Sequence, residues 1–460
     1  MGTRSTLDTT SVSELQRHVR GDIVRPGDAI YDAARRVYNA LHDRHPALIM
    51  RATGVADVMA AVSLAAADGR PIAVRGGGHS VAGFGTCDGG LVIDLGRMRG
   101  IRVDPARRTV RAEGGCTWAD LNHATHAFGL ATTGGIVSTT GIAGLTLGGG
   151  LGYLARQCGL SSDNLASADV VTADGAFVNC SEAENADLFW ALRGGGGNFG
   201  VVTALEYRLH PVSEVLAGPT FFPLEAEVIH RYQELVAKAP EELGALLALT
   251  LAPPLPFIPA AWRGKPVSVL LACWTGRPEE GEAILARAAG WAPVVGRMVA
   301  PMPYPVVNTL FDELLPAGLR HYWKGVFARE LTDGAIAAHV EYGRRIPCVE
   351  TATILFPIDG ACHRVGPEAT AFAHRRARFA TGLGPSWRDP ADDAANIDWG
   401  RRYYEALRPH SDEGGYVNFM SGDDQHRVRE NYGATYERLV AVKRRYDPGN
   451  LFRLNQNVAP

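Results

Sequence analysis

The sequence predicts an α+β protein of two or three domains, on three observations. At 460 residues the chain is long enough for that many cores, at about 100 to 200 residues per domain. Helix and strand signals are mixed along its first third, with hairpins among them, which favours α+β over a doubly wound parallel sheet. Composition is ordinarily globular, 46% hydrophobic and 21% charged, which excludes a disordered chain and a coiled-coil rod.

Taken in order, Ser11-Val-Ser-Glu14 reads as a capping box for a first helix. Val55, Val58, Met59, Val62 and Leu64 have helical spacing that stops at Asp68-Gly69, and Pro71-Ile-Ala-Val74 follows as a short strand. Leu91-Val-Ile93 and Thr109-Val-Arg111 are strand-like, and Thr117-x-x-Asp120 opens a helix ending near Phe128-Gly129. Asp174-Gly175, between Val170-Val-Thr172 and Phe177-Val178, is a hairpin signal. Ser181-x-x-Glu184 reads as the cap of a helix carrying Leu188, Phe189 and Leu192, and Val201 to Leu209 alternates as a strand. After His210-Pro211 the glycine clusters thin out, so a second domain is expected over 212–410, between 1–211 and a last segment 411–460 that the resemblance given below implies returns to the first domain. Val267-Ser-Val-Leu-Leu271 and the run His321 to Phe327 predict a sheet there, covered by helices, one near Gly334 to Arg345. The last segment contains Tyr416-Val-Asn418-Phe419, which the resemblance given below implies to be a strand, and a helix is expected from about Val428 to Arg445.

Lys plus Arg total 46 against 49 Asp plus Glu, a net charge of -3 that offers no basic reservoir for nucleic acid. No stretch approaches the roughly 18 apolar residues of a membrane span, and the first thirty residues lack the apolar core of a secretory signal, so a cytoplasmic protein is expected. The seven cysteines (Cys87, Cys116, Cys158, Cys180, Cys273, Cys348, Cys362) are widely spaced and never form C-x-x-C, so neither a zinc site nor a disulfide framework is supported.

The outlying number is glycine: 53 in all, 27 of them between Gly76 and Gly200. Gly195-x-Gly197-x-x-Gly200 fits the dinucleotide pattern in letters but lies after a helix and before a strand, the reverse of the required context. Val74-Arg75-Gly76-Gly77-Gly78-His79-Ser80 is different, because a strand there runs into consecutive glycines whose N–H groups can form a nest for phosphate oxygens. Taken alone, such a run is equally a tight surface turn. His79 at its tip could serve as ligand, acid/base or attachment point.

These residues resemble the berberine bridge enzyme-like flavoprotein oxidases of the vanillyl-alcohol oxidase superfamily. The resemblance rests on Arg75-Gly-Gly-Gly-His79-Ser80, Gly141-x-x-Gly144-x-x-x-Gly148-Gly149-Gly150-x-Gly152, Gly159-Leu-x-x-Asp163-Asn164, Arg193-Gly-Gly-Gly-Gly-Asn198-Phe-Gly-Val-Val202, Tyr416-x-Asn418-Phe419 and Tyr446-Asp-Pro-x-Asn450-x-Phe452, in family order. It implies a two-subdomain FAD-binding domain, an inserted α/β substrate domain whose antiparallel sheet is covered by helices, and FAD carried covalently on His79. It also implies cofactor contacts at Arg75, Gly76, Gly77, Gly78, Ser80, Thr140, Gly141, Gly144, Leu145, Gly148, Gly200, Val202, Asn455 and Asn457. Many members have a second flavin bond from a cysteine. Val137 stands at that position and Leu145 replaces a histidine of doubly linked members, so a single bond is expected, as in bacterial monocovalent members such as the 6-hydroxynicotine oxidases. Cys158 is close in sequence but is expected to be structural or pocket-lining.

The implied reaction moves a hydride from a C–OH or C–N carbon of a sugar-like or secondary-metabolite-like molecule to FAD, with dioxygen returning as hydrogen peroxide. Tyr416 is the candidate base, Asn418 its neighbour on one strand face, and Lys324 a candidate cation to help the phenol ionise. Small-molecule substrate and dioxygen are the expected partners, in a monomer or homodimer without metal. A dehydrogenase using another electron acceptor, or a flavin- or ligand-binding protein without catalysis, are the alternatives.

Overall fold

The computed structural model describes residues 15–460, so the Ser11–Glu14 capping box lies outside the described residues. A first sheet holds β1 (Asp22–Val24), β2 (Leu48–Arg51), β3 (Ile72–Arg75) and β4 (Leu91–Asp94) in the order β1-β2-β4-β3, with β2 and β3 both parallel to β4. Parallel neighbours need a crossover. The helix Val55–Asp68 supplies it, burying Val58, Ala61, Val62 and Ala65 and ending at Gly69, whose φ of 65° suits glycine.

The second sheet is antiparallel, in the order β5 (Ile101–Asp104), β6 (Thr109–Glu113), β10 (Val201–Arg208), β8 (Leu165–Val171), β9 (Phe177–Ser181). Asp174-Gly175 turns β8 into β9. Thr117 and Asp120 form the expected reciprocal cap on the helix Trp118–His126. Ser181 departs from expectation: its hydroxyl accepts from the Ala183 and Glu184 N–H groups, and the helix begins only at Ala186. The short β7 (Leu130–Ala131) pairs with β11 (His210–Pro211), where the chain leaves this region.

Residues 214–384 build a larger antiparallel sheet from β12 (Glu214–Pro223), β13 (Leu243–Leu251), β14 (Pro266–Trp274), β15 (Gly296–Arg297), β16 (Ala300–Pro303), β18 (Lys324–Ala328), β19 (Ala352–Pro357) and β20 (Phe379–Gly384). Its order is β15-β12-β14-β13-β19-β20-β18, with β16 beside β12, while β17 (Arg320–His321) pairs separately with β21 (Ser386–Trp387). Strand alternation divides its side chains. Leu247, Leu249, Leu270 and Leu355 pack under Val228, Ile229 and Tyr232 of the helix Ala226–Lys238, whereas Leu246, Ala248, Val269 and Phe356 face the glycine-rich half of the molecule with Tyr416 and Phe419. The helix Asp393–Leu407 covers Val326 and Leu383 with Trp399 and Tyr403.

The returning segment packs Leu439, Val440 and Val442 against Leu188, Phe189 and Leu192. Two expectations are corrected here. Val417–Phe419 is a 3₁₀ turn, closed by the Phe419 N–H donating to the Tyr416 carbonyl, so the segment is not a strand. The expected helix from 428 is broken into Val428–Tyr432 and Tyr436–Tyr446 by a 3₁₀ turn at Gly433. No helix among the described residues is long and apolar enough to cross a membrane, and all seven cysteines are free.

Candidate active site

A cavity of about 330 Å³ lies where the first two sheets, the large sheet and the returning segment meet. One wall is backbone. A Cβ on Gly77 would fall 2.3 Å from the Gly141 nitrogen, and one on Gly141 would fall 2.4 Å from the Gly77 nitrogen, so these two loops touch main chain to main chain. Gly78 sits at φ 73°, turning the loop so that His79 enters the cavity. Arg75 lines the wall but spends its guanidinium on Asp94 Oδ2 (2.9 Å) and the Ala34 and Arg36 carbonyls, locking the end of β3. Ser80 Oγ accepts from the Phe84 N–H and holds the following turn.

His79 stands between this cavity and a second recess lined by Tyr38, Thr139 and Leu315. Its Nε2 is 3.1 Å from Thr139 Oγ1 and its Nδ1 3.4 Å from Thr140 Oγ1, and the Tyr38 ring stacks on it at 3.9 Å. Desolvation pushes the imidazole down to about 4, so the ring is neutral at pH 7 and one of its nitrogens is unprotonated.

Tyr416 is buried and lines the same cavity. Its hydroxyl accepts from the Gly150 N–H (2.8 Å) and from Asn418 Nδ2 (2.8 Å), and Asn418 is itself fixed by donating to the Leu145 carbonyl (3.0 Å). Burial pushes the phenol up to about 12, although these donors and the Leu151 N–H favour the anion.

A family model described as FAD binding domain matches residues 46–181, and one described as berberine and berberine like matches 415–459. The chain is 32% identical over 457 residues to (R)-6-hydroxynicotine oxidase of Paenarthrobacter nicotinovorans, covering 96% of this chain and 97% of that protein. It belongs to the berberine bridge enzyme-like FAD-linked oxidoreductases. An FAD-linked oxidoreductase of Dictyostelium discoideum is 30% identical over 98% of this chain and 97% of its own. The solved structure of the BBE-like 1 protein of Physcomitrella patens superposes with a TM-score of 0.87 at 25% identity, over 98% of this chain and 99% of that one.

The residues present in this BBE-like chain fit FAD. The cofactor has a long phosphate-bearing body and a flat ring, and the site offers glycine main chain that no side chain could replace, apolar walls and a neutral imidazole. Of the residues expected to contact it, Arg75, Gly76, Gly77, Gly78, His79, Ser80, Thr140, Gly141, Gly144, Leu145, Gly200, Val202 and Asn455 line the cavity, as do Tyr416 and Asn418. Three expected site residues lie outside the lining. Gly148 is behind Asn418, where a Cβ would fall 2.2 Å from Asn418 Oδ1. Asn457 gives way to Gln456, its neighbour, which does line the cavity. Lys324 is the main correction: its ammonium is bound to Asp424 (2.6 Å) and Asp423 (3.0 Å) and lies over the Tyr322 ring. Burial pulls its pKa down, but the two carboxylates more than offset this and hold it above the ordinary lysine value. The donors that reach the Tyr416 oxygen are the neutral Gly150 N–H and Asn418 Nδ2, not the Lys324 ammonium.

Sequence reasoning missed the large sheet's share of the wall. Glu350, Ala352, Ile354 and Phe356 all face the cavity, a period of two that was readable in the sequence. Glu350 is paired with Arg388 at 2.6 Å. Cys158 does not line the cavity, and desolvation pushes its thiol up to about 12. Among the described residues no group of three or more His, Cys, Asp or Glu could hold a metal.

Proposed function

We propose that the protein is an oxidase that removes a hydride from a C–OH or C–N carbon of a small molecule, with FAD attached through one bond to His79 and dioxygen leaving as hydrogen peroxide. In this reading residues 1–211 and 411–460 hold FAD and 212–410 shape the substrate side. The observation that carries it is the presence, in the lining of one cavity, of a neutral imidazole at His79 and a phenol at Tyr416 whose oxygen is held by two donors. Bound FAD supplies the hydride acceptor and the reaction with dioxygen.

The chain's own residues do the rest. Glycine main chain at 76–78 and 141 admits the cofactor closely, and Asn455 lies beside Gly197 on the same wall, donating to its carbonyl at 3.0 Å. Tyr416 takes the proton from the substrate O–H or N–H, and Gly150 N–H and Asn418 Nδ2 stabilise the phenolate form that accepts it. Ile354 and Phe356 keep water from the reacting face. Val137 leaves no sulfur at the position of a second bond, which supports single attachment.

The test is the flavin spectrum of the purified protein before and after acid or SDS denaturation, followed by mass analysis of the His79 peptide and peroxide release over a panel of alcohols and amines. Flavin retained on that peptide, with peroxide formed at the expense of dioxygen, is the expected result. Free flavin after denaturation overturns the attachment, and substrate oxidation that needs an artificial acceptor in place of dioxygen overturns the oxidase reading.

A further inference from the structure

The stack on His79 continues beyond Tyr38. The far face of the Tyr38 ring lies on His321, with centroids 4.9 Å apart and planes within 8°. Tyr38 is therefore a plate between two imidazoles, one in the glycine loop and one in β17. It is fixed on its other sides too. Its hydroxyl donates to the Leu315 carbonyl (2.8 Å), its N–H to the Gly78 carbonyl (3.1 Å), and its own carbonyl accepts from the Gly318 N–H (3.1 Å).

The next residue explains why the plate cannot slide. Asn39 is fully buried and spends its whole hydrogen-bonding capacity. Its amide donates to the Val81 and His321 carbonyls, both at 2.8 Å, and its oxygen accepts from the His321 N–H (2.9 Å) and the Leu41 N–H (3.0 Å). The His321 ring is held by Ser386 Oγ at 2.8 Å from Nδ1, in the strand paired with β17. One dipeptide thus ties the His79 loop to the β17–β21 pair.

We propose that Tyr38, clamped by Asn39 and backed by His321, is a positioning residue that presents the His79 imidazole for flavin attachment. This rests on the reading that His79 carries the flavin. Attachment forms one bond, between an imidazole nitrogen and the flavin 8α carbon, and breaks the imidazole N–H and one 8α C–H. The two electrons released pass to dioxygen, which with the two hydrogens becomes hydrogen peroxide. An imidazole held on one face by Tyr38, with Thr139 and Thr140 at its two nitrogens, has little rotational freedom left to lose in that step; the bonding nitrogen gives up its threonine, while the Tyr38 face and the other threonine keep the ring oriented. Because the backing comes from β17, attachment also depends on that strand pair being docked.

The experiment follows covalent attachment after FAD is mixed in air with full-length protein produced under riboflavin limitation. In-gel fluorescence after SDS reports attached flavin, and absorbance reports total bound flavin. Tyr38→Phe keeps the plate and is expected to attach within about twofold of wild type, whereas Tyr38→Leu keeps apolar bulk without a flat face and should attach about tenfold more slowly at unchanged FAD binding. His321→Ala, which removes the backing together with the ring's contact to Ser386 but leaves Tyr38 and the Asn39 backbone contacts in place, should be slowed as well, and decides the matter if Tyr38→Leu fails to bind FAD. Attachment at the wild-type rate in Tyr38→Leu, or in His321→Ala where that variant decides, overturns the proposal. So does a Tyr38→Phe variant as slow as Tyr38→Leu, since the hydroxyl contact to Leu315 would then be what matters. Wild-type protein that never acquires SDS-stable flavin instead overturns the underlying reading of His79.

Discussion

Two residues of the cavity lining, His79 and Tyr416, are neutral for the same reason, with opposite consequences for the chemistry proposed for them. Desolvation drives His79 down to about 4 and Tyr416 up to about 12, so at pH 7 each carries no charge. For the imidazole the neutral form is the nucleophile. For the phenol the neutral form is the wrong one for taking a proton, and its surrounding donors recover only part of what burial costs. One environment thus readies its residue at rest, and the other holds its residue a step short of ionisation.

The largest effects should come from removing either residue. His79→Ala is expected to abolish SDS-stable flavin completely, while Tyr416→Phe should keep it and lower kcat by about 100-fold or more, the usual scale for a lost general base. Loss of attached flavin in Tyr416→Phe would break the separation of roles. The comparison also predicts opposite pH behaviour. Where proton removal limits the rate, kcat/KM should climb through pH 7 to 10, because Tyr416 ionises only toward about 12, whereas attachment to His79 should stay flat over that range, the ring being neutral above about 4. A kcat/KM that is level from pH 7 upward would mean that Tyr416 is ionised by some further group.

A smaller effect on catalysis is expected at Lys324. Lys324→Met takes the nearest cation from Asp424, which is 2% exposed and keeps only Arg427 at 3.6 Å and the Ser421 N–H, and should cost about 2 kcal/mol of stability in denaturant unfolding. Activity at moderate temperature should stay within about fivefold of wild type, the surface-like outcome for a group outside the chemistry. A loss as large as that of Tyr416→Phe would restore Lys324 to the reaction. The least local effect is on acid stability. His321 and His339 are buried with pKa values lowered to about 3 and about 4 from an ordinary 6.5. The unfolded chain therefore takes up these protons first. Their contribution is complete above about pH 6.5 and is lost as the pH falls toward 4, so Tm should drop across that window, and less steeply in His339→Phe.

What was legible in the sequence was what local chemistry dictates. Consecutive glycines before His79 announce a main-chain wall, and the caps at Thr117 and Gly69 mark helix ends that the structure keeps. The Tyr416 segment was found but misdrawn, because Gly414 at φ 85° redirects the chain into a 3₁₀ turn where the residue types suit a strand. Even so, Tyr416 and Asn418 stay together, joined by a hydrogen bond that needs no strand face. Lys324 was misassigned because its partners, Asp423 and Asp424, lie a hundred residues away with no local pattern linking them. Tyr38 was missed on the same ground: a plate between residues 79 and 321 leaves no trace in the spacing around residue 38.

The cavity wall draws on residues 75 to 80 near one end of the chain and on 454 to 456 near the other. On the ribosome the glycine loop emerges hundreds of residues before the asparagine and glutamine that will face it. The complete wall is therefore a property of the folded chain, and a fragment lacking residues 454 to 456 carries only part of it.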